Sequence, residues 1–283
     1  PGYMPALQPY DANGFLKWDT TKSQALPNGK YSPPGDSDGA AFTTKFTDMV
    51  KSSGEHGCGY EASLEAWYRF LIDPEPVGDV AVPPGTNLAV VQNVDATVLA
   101  QRAAFLRPDS LVAVVMLSDE NDCSIQDEGY GWLVARATDA AGHAVAMYRS
   151  TSQCAANPND KCCQSCAEGK PNDGCPAIAS DSECAKGNAL NQMNGEDDLN
   201  LRCWQQKRRF GFDLLYPTTR YSEGLRSSLV LNRAGQAVGN PLFAASDGKT
   251  PRDKGLVFLA GIVGVPWQDI ADADSLSGAG LRY

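Results

Sequence analysis

Asp119, Glu120 and Asp122 stand within four residues of one another, directly after the apolar run Leu111-Val-Ala-Val-Val-Met-Leu117. Carboxylates crowded this closely repel, and a hard divalent cation is their usual compensation. A cation held there can bridge to a ligand, or it can activate a bound water for hydrolysis. The competing reading is a solvated acidic loop closing a strand, with Asp119 capping the next turn. Asp127 and Glu128, a little further on, read as surface charges.

An apolar run of this length, rich in valine, predicts a strand buried on both faces. In open α/β sheets, ligand sites lie beyond the carboxyl ends of strands. The elements around the run fit that scheme. Leu64, Trp67, Tyr68 and Leu71 fall at i, i+3, i+4 and i+7 and predict an amphipathic helix, ended by Pro74 and Pro76. Leu88 to Val94 reads as a short strand. Asp95 caps a helix carrying Val98, Leu99, Arg102 and Phe105, which Pro108 stops. Leu256 to Val263 is a second strongly apolar strand, and Ser228 to Phe243, around Asn232-Arg-Ala-Gly235, reads as a hairpin. Trp204 to Tyr216 has helical propensity up to Pro217. Trp132 to Tyr148 has no clean period and reads as either helix or strand. The resulting division is an irregular arm at 1–44, an α/β domain at 45–149 and 204–283, and a cysteine-rich insertion at 150–203.

The chain has 283 residues, 42% of them hydrophobic and 20% charged, which suits a folded protein. A net charge of −10 argues against nucleic acid, whose phosphates require basic patches, and against anionic membranes. No run reaches the roughly 18 apolar residues of a membrane helix, so no membrane insertion is expected. Pro1-Gly-Tyr-Met has neither the basic start nor the apolar stretch of a signal peptide, and no initiator Met stands at position 1. A mature or excised fragment is the expectation.

Seven of the nine cysteines, Cys154, Cys162, Cys163, Cys166, Cys175, Cys184 and Cys203, lie in fifty residues dominated by Asn, Asp, Ser, Gly and Pro. Such a segment buries little apolar area and relies on covalent staples, which places the protein in an oxidising compartment: secreted, at the cell surface or periplasmic. The odd total leaves one cysteine free or paired outside the chain, and a missing upstream segment of the same precursor is one source of a partner. Cys162-Cys163-x-x-Cys166 also has zinc-ligand spacing, but the compartment favours disulfides.

The order of these pieces resembles a von Willebrand factor A-type domain. That family is a doubly wound, mostly parallel α/β fold with a metal-ion-dependent adhesion site above its sheet. Leu117-Ser118-Asp119-Glu120 matches the family's third site loop, with Asp119 in the Asp position. Gly57-Cys58-Gly59-Tyr60-Glu61, opening the Leu64 to Leu71 helix, matches the second, with Glu61 where the family has Thr. The first-loop motif Asp-x-Ser-x-Ser is lacking. Asp19-Thr-Thr-Lys-Ser23 has similar spacing in a loop-like setting, and the first strand is left to lie upstream of Pro1.

The resemblance covers roughly 45–125 and 204–268. It implies a cation, calcium or magnesium, on Asp119, Glu61 and Asp122, with Glu for Thr favouring calcium or displacing the metal. It also implies that Cys58 and Cys123, in neighbouring site loops, form a disulfide. The expected role is metal-dependent adhesion to a protein or cell-surface ligand. The rivals are a secreted metal-assisted hydrolase using the same loop and a structural surface protein whose acidic loop is vestigial.

Other chemistries find less in the sequence. His56 and His143 are the two histidines, no Gly-x-Ser-x-Gly elbow is present, and His56 beside Cys58 reads as a turn histidine. Lys207-Arg208-Arg209 reads as a solvated helix face or as a complement to insertion carboxylates. The aromatics at Gly129-Tyr-Gly-Trp132 and Pro266-Trp267 read as core before they read as a ligand platform.

Overall fold

In chain order the elements are α1 (Gly39–Ser52), α2 (Ser63–Leu71), β1 (Val80–Ala81), β2 (Val90–Val91), α3 (Ala96–Phe105), β3 (Val112–Ser118), α4 (Ser152–Ala156), α5 (Gln206–Phe210), α6 (Thr218–Gly224), β4 (Leu229–Leu231), β5 (Ala237–Gly239) and β6 (Val257–Val263). The computed structural model describes residues 14–19, 35–52, 59–107, 110–136, 138, 142, 144–244, 251–264 and 272. The architecture is mixed α/β with a disulfide-rich region.

The two apolar runs pair with each other. β3 and β6 lie parallel and in register from Val112 opposite Val257 to Ser118 opposite Val263. They form one of three two-stranded sheets among the described residues; the others are the antiparallel pairs β1–β2 and β4–β5. The β4–β5 hairpin turns at Asn232 to Gly235, where the sequence places it.

α2 forms because its apolar residues repeat on one face. Trp67, Tyr68 and Leu71 are buried with Val112, Tyr221, Leu242 and Phe243 in the larger core cluster. Asp95 caps α3 as its position predicts, its Oδ1 accepting from the backbone N–H of Thr97 and of Val98. A second cluster gathers Cys123, Leu133, Val134, Met147, Phe210 and Leu214.

Several expectations are corrected. β3 is not buried on both faces. Val112 is buried and Val114 and Met116 half-buried against α2's side, but Val115 is 67% and Leu117 79% exposed. Continuous apolar character gives no alternation from which a one-sided strand can be told. The helical stretch at 204–216 shortens to α5, because Gly211 takes φ +77° and ends it. A Cβ at Gly211 would lie 2.3 Å from the Gln164 backbone, so the insertion packs directly on this turn. Pro217 stops nothing; it precedes α6, an element the sequence pattern did not announce. Among the described residues of 132–148 there is neither helix nor strand beyond a single 3₁₀ turn at Gly131–Leu133 and isolated bridges. α1 begins at Gly39, inside the stretch expected to be an irregular arm.

Four disulfides form among the described residues. Cys154–Cys163, Cys162–Cys175 and Cys166–Cys184 close short loops within the insertion, and Cys123–Cys203 spans 80 residues. They indicate an oxidising environment. Cys162, Cys163 and Cys166 are thereby committed, which removes the zinc reading. The expected Cys58–Cys123 bond is also overturned, since Cys123 bonds to Cys203; Cys58 itself lies outside the described residues, as do both histidines, Thr20 to Ser23 and Pro266-Trp267.

Candidate acidic site

Glu61 and Asp119 meet. Both line an open cavity of about 400 Å³, together with Tyr60, Glu120, Asn200 and Trp204. Its floor is the turn leaving β3. There Ser118 holds the chain, its Oγ accepting from the Glu120 N–H at 3.3 Å and the Ser118 carbonyl accepting from Gly264 N–H at 3.1 Å. One wall is the segment entering α2. It is drawn to the floor by a short backbone bond, Cys123 N–H to the Glu61 carbonyl at 2.6 Å.

The opposite wall, Asn200, Cys203 and Trp204, comes from the end of the cysteine-rich segment. Cys203 is tied to the floor through Cys123, and the Tyr60 hydroxyl donates to the Leu199 carbonyl at 2.9 Å. This wall was missed from sequence because a disulfide partner is a property of the fold. Trp204 is 51% exposed, the mark of an aromatic available to a ligand.

Asp122 does something else. Its Oδ1 accepts from Leu64 N–H at 2.9 Å and from the Ser124 hydroxyl at 3.0 Å, and its Oδ2 accepts from Ser124 N–H at 3.0 Å. Ser124 Oγ in turn accepts from Glu65 N–H at 3.0 Å. Ala62, at the N-cap position, offers no side-chain bond. Asp122 and Ser124 therefore cap α2 from a distant loop, satisfying two of the N–H groups that a helix start leaves open. Asp122→Ala should lower stability by about 1–2 kcal/mol, read as a shift in urea midpoint. Any effect of cations on the protein should survive that change, because Asp122 does not line the cavity.

The charge that remains in the cavity is concentrated on Glu61, Glu120 and Asp119. The negative charge of Glu61, a hydrogen bond between the Glu61 and Glu120 side chains, and the charge of Asp119 all push the Glu120 carboxyl above its ordinary range. A raised carboxyl favours the folded state in acid, and the benefit fades as pH rises through the raised value. At neutral pH the cluster is a local repulsion that a bound cation would relieve. Among the described residues, no three Cys, His, Asp or Glu side chains are grouped so as to hold a metal ion.

Behind this site lies a buried charge network that sequence reading overlooked. Glu65, 4% exposed, accepts from Arg220 Nη2 at 2.9 Å and Nε at 3.2 Å and from the Tyr221 hydroxyl at 3.0 Å. The Arg220 guanidinium is sandwiched 3.9 Å from the Tyr68 ring centroid and 4.3 Å from that of Tyr216. Burial works to lower the Arg220 pKa, but the bond and charge of Glu65 outweigh it and hold the guanidinium above its usual value. Asp127, expected at the surface, is half-buried and bonded to Arg69 at 2.6 Å and the Tyr216 hydroxyl at 2.9 Å. The available signal was Glu65 itself, a carboxylate adjoining α2's apolar stripe.

The other sequence candidates are structural. Lys207, Arg208 and Arg209 donate to the carbonyls of Gly211, Ala155 and Leu201, which seams the insertion to α5. Tyr130 stacks with Phe212 at 4.7 Å and Trp132 Nε1 donates to the Asn87 carbonyl, as core aromatics do. No helix among the described residues is long and apolar enough to cross a membrane. No family model, curated protein or solved structure matches the chain.

Proposed function

We propose that this is an extracellular or cell-surface binding protein that engages a protein or surface ligand through a divalent cation at the acidic cavity. Its scaffold is read as von Willebrand factor A-like, with α2, β3 and β6 as the elements retained. The observation that carries the reading is the Glu61–Glu120 carboxyl pair, with Asp119 beside it, at the carboxyl end of a parallel strand. Two carboxyls within hydrogen-bonding reach share either a proton or a cation, and at neutral pH the cation is the better partner. These side chains cannot complete a coordination shell, so water or a ligand carboxylate would supply the rest, which is how a cation bridges two molecules. The open shape and the aromatic Trp204 wall suit a macromolecular surface.

Thermal melts test this. Calcium or magnesium at about 100 times its Kd should stabilise the protein by about 2.7 kcal/mol, several degrees in midpoint. Chelator should reverse the shift, and Glu61→Gln with Glu120→Gln should abolish it. The shift should also shrink as pH falls, because the neighbouring charge of Glu61 makes Glu120 take up its proton before an ordinary carboxylate does. A midpoint indifferent to both metals at neutral pH would sink the cation.

Trp204 favours a second reading of the same cavity. An aromatic face beside carboxylates also suits a Lys or Arg side chain from a partner. In that case a basic peptide, rather than a metal, should raise the midpoint and quench Trp204 fluorescence.

A further inference from the structure

Buried polar groups in a folded protein nearly always have a hydrogen-bond partner, so one that lacks a partner marks something the fold leaves open. Two such groups belong to one cavity. Tyr68 is 3% exposed, and its hydroxyl has no hydrogen-bond partner among the described residues. Arg220 spends Nε and Nη2 on Glu65 and Asp73, at 2.9 to 3.3 Å, while its Nη1 meets no acceptor among them. Both residues line a cavity of about 470 Å³ walled by α2, α6 and the β4–β5 hairpin. That volume falls within the ~300–1,000 Å³ of small-molecule sites. All of its wall lies within the described residues, and it shares none of them with the acidic cavity. Gly224 lets α6 close on α2 here, since a Cβ at that position would stand 2.7 Å from Tyr68 Cε2. Opposite, β4 turns Val230 into the core and leaves Leu229 and Leu231, 55% and 64% exposed, on the cavity side. Burial pushes the Tyr68 phenol above its ordinary pKa, with the charge of Arg220 opposing, so the hydroxyl keeps its proton and stays a donor.

We propose that this cavity binds a small molecule with an apolar or aromatic body and a neutral carbonyl or amide head. The body lies against Leu229, Leu231 and Tyr216, and the carbonyl oxygen takes the unspent protons of the Tyr68 hydroxyl and Arg220 Nη1. Charge decides the head. Arg220 brings one positive charge, Glu65 and Asp73 already answer it with two negative ones, and Glu223 adds another to the cavity wall. A carboxylate head would enter surroundings that are already net negative. An ammonium head would leave both donors without an acceptor. A neutral acceptor satisfies the donors and adds no charge.

The test is a nuclear magnetic resonance titration of the full, nitrogen-labelled chain at neutral pH, with chelator present so that the acidic cavity holds no cation. N-benzylacetamide is the neutral probe, and 3-phenylpropionate carries a carboxylate on a body of the same size. The amide should give saturable shifts confined to residues 216–224 and 229–237 and to Tyr68, with a Kd of about 1 mM or tighter. The carboxylate should bind about tenfold more weakly. Tyr68→Phe keeps the ring and its stack on Arg220 and removes one donor, so affinity for the amide should fall about five- to tenfold. Leu231→Ser, at a side chain outside both core clusters, should weaken it likewise without unfolding the chain. A blocked dipeptide, N-acetyl-glycyl-phenylalaninamide, separates a free small molecule from a segment of peptide, and it should bind no more tightly than the amide. Absence of saturable shifts at these residues by about 10 mM amide overturns the proposal. So does a carboxylate that binds as well as the amide, and so does unchanged amide affinity in Tyr68→Phe. A dipeptide that binds more than about tenfold tighter overturns it too, and would assign the cavity to a peptide.

Discussion

Arg202→Met should cost about 3–5 kcal/mol, enough to unfold much of a protein whose total stability is of the usual ~5–15 kcal/mol. Arg202 is fully buried, and so is its partner Asp197. The pair is bidentate, with Nε to Oδ1 at 3.0 Å and Nη2 to Oδ2 at 2.6 Å. The remaining guanidinium protons donate to the carbonyls of Leu133, Val134, Arg136 and Val145. One side chain thus gathers carbonyls from several points of one segment, whose described residues have almost no regular secondary structure. Its loss strands a buried carboxylate and several buried carbonyls at once, which is why the cost exceeds that of an ordinary hydrogen bond. Replacing both partners by apolar residues should cost less than either single change, because no unpaired charge is left behind. Urea melts of the two singles and the double give the coupling directly. Equal midpoints for wild type and Arg202→Met would dismiss the clamp.

The same pair sets an acid limit. Burial would raise the Asp197 pKa, but the bonds from Arg202, the Met147 N–H and Gln192 outweigh it, so the carboxyl lies below its ordinary range. A depressed carboxyl adds stability that is fully present above its unfolded value, near 3.9, and lost as pH falls through the folded value. Acid unfolding should therefore shift towards neutral pH in Asp197→Asn.

The second large effect concerns the long-range disulfide. Replacing Cys123 and Cys203 together by alanine should destabilise the protein by about 4–5 kcal/mol on the chain-entropy model, because the closed loop spans 80 residues. The three local bridges close loops of 9, 13 and 18 residues, so each should matter less on the same model. The long bridge also carries a functional consequence. It pins the Asn200–Trp204 wall to the floor that holds Asp119 and Glu120. Cys123→Ala with Cys203→Ala should lower stability and, at a temperature where the variant is still folded, weaken any cation-dependent shift. Calorimetry with and without calcium separates the two. Unchanged cation response in the double variant would show that the wall plays no part in the site.

What was legible in the sequence was what is local. α2, α3, the β4–β5 hairpin and the two apolar strands follow from periodicity and caps within a dozen residues, and they fall where the pattern puts them. The meeting of Glu61 with Asp119 was legible only through the resemblance, since 58 residues of chain (119 minus 61) separate them. The role of Asp122 was not legible: a carboxylate that caps a distant helix has the same sequence signature as one that binds a cation. Arg202 carried no sign of its burial, because a guanidinium can be buried only where several carbonyls converge, and those come from residues 133–145. The pairing of Cys123 fell to the same difficulty. α6 escaped because its seven residues, with Thr, Ser and Gly among them, show little helical propensity.

The parallel pairing of β3 with β6 has a consequence for biosynthesis. Partner residues Val112 and Val257 are 145 positions apart (257 minus 112), so the first strand emerges from the ribosome long before the second exists. At ordinary elongation rates of ~5–20 residues per second, that is a wait of roughly ten seconds or more, during which a strongly apolar segment lacks its native strand partner. Such a segment invites aggregation and binding by chaperones. Translocation of the chain while still unfolded would shield it until the last strand, and an oxidising environment for the cysteines, arrive together.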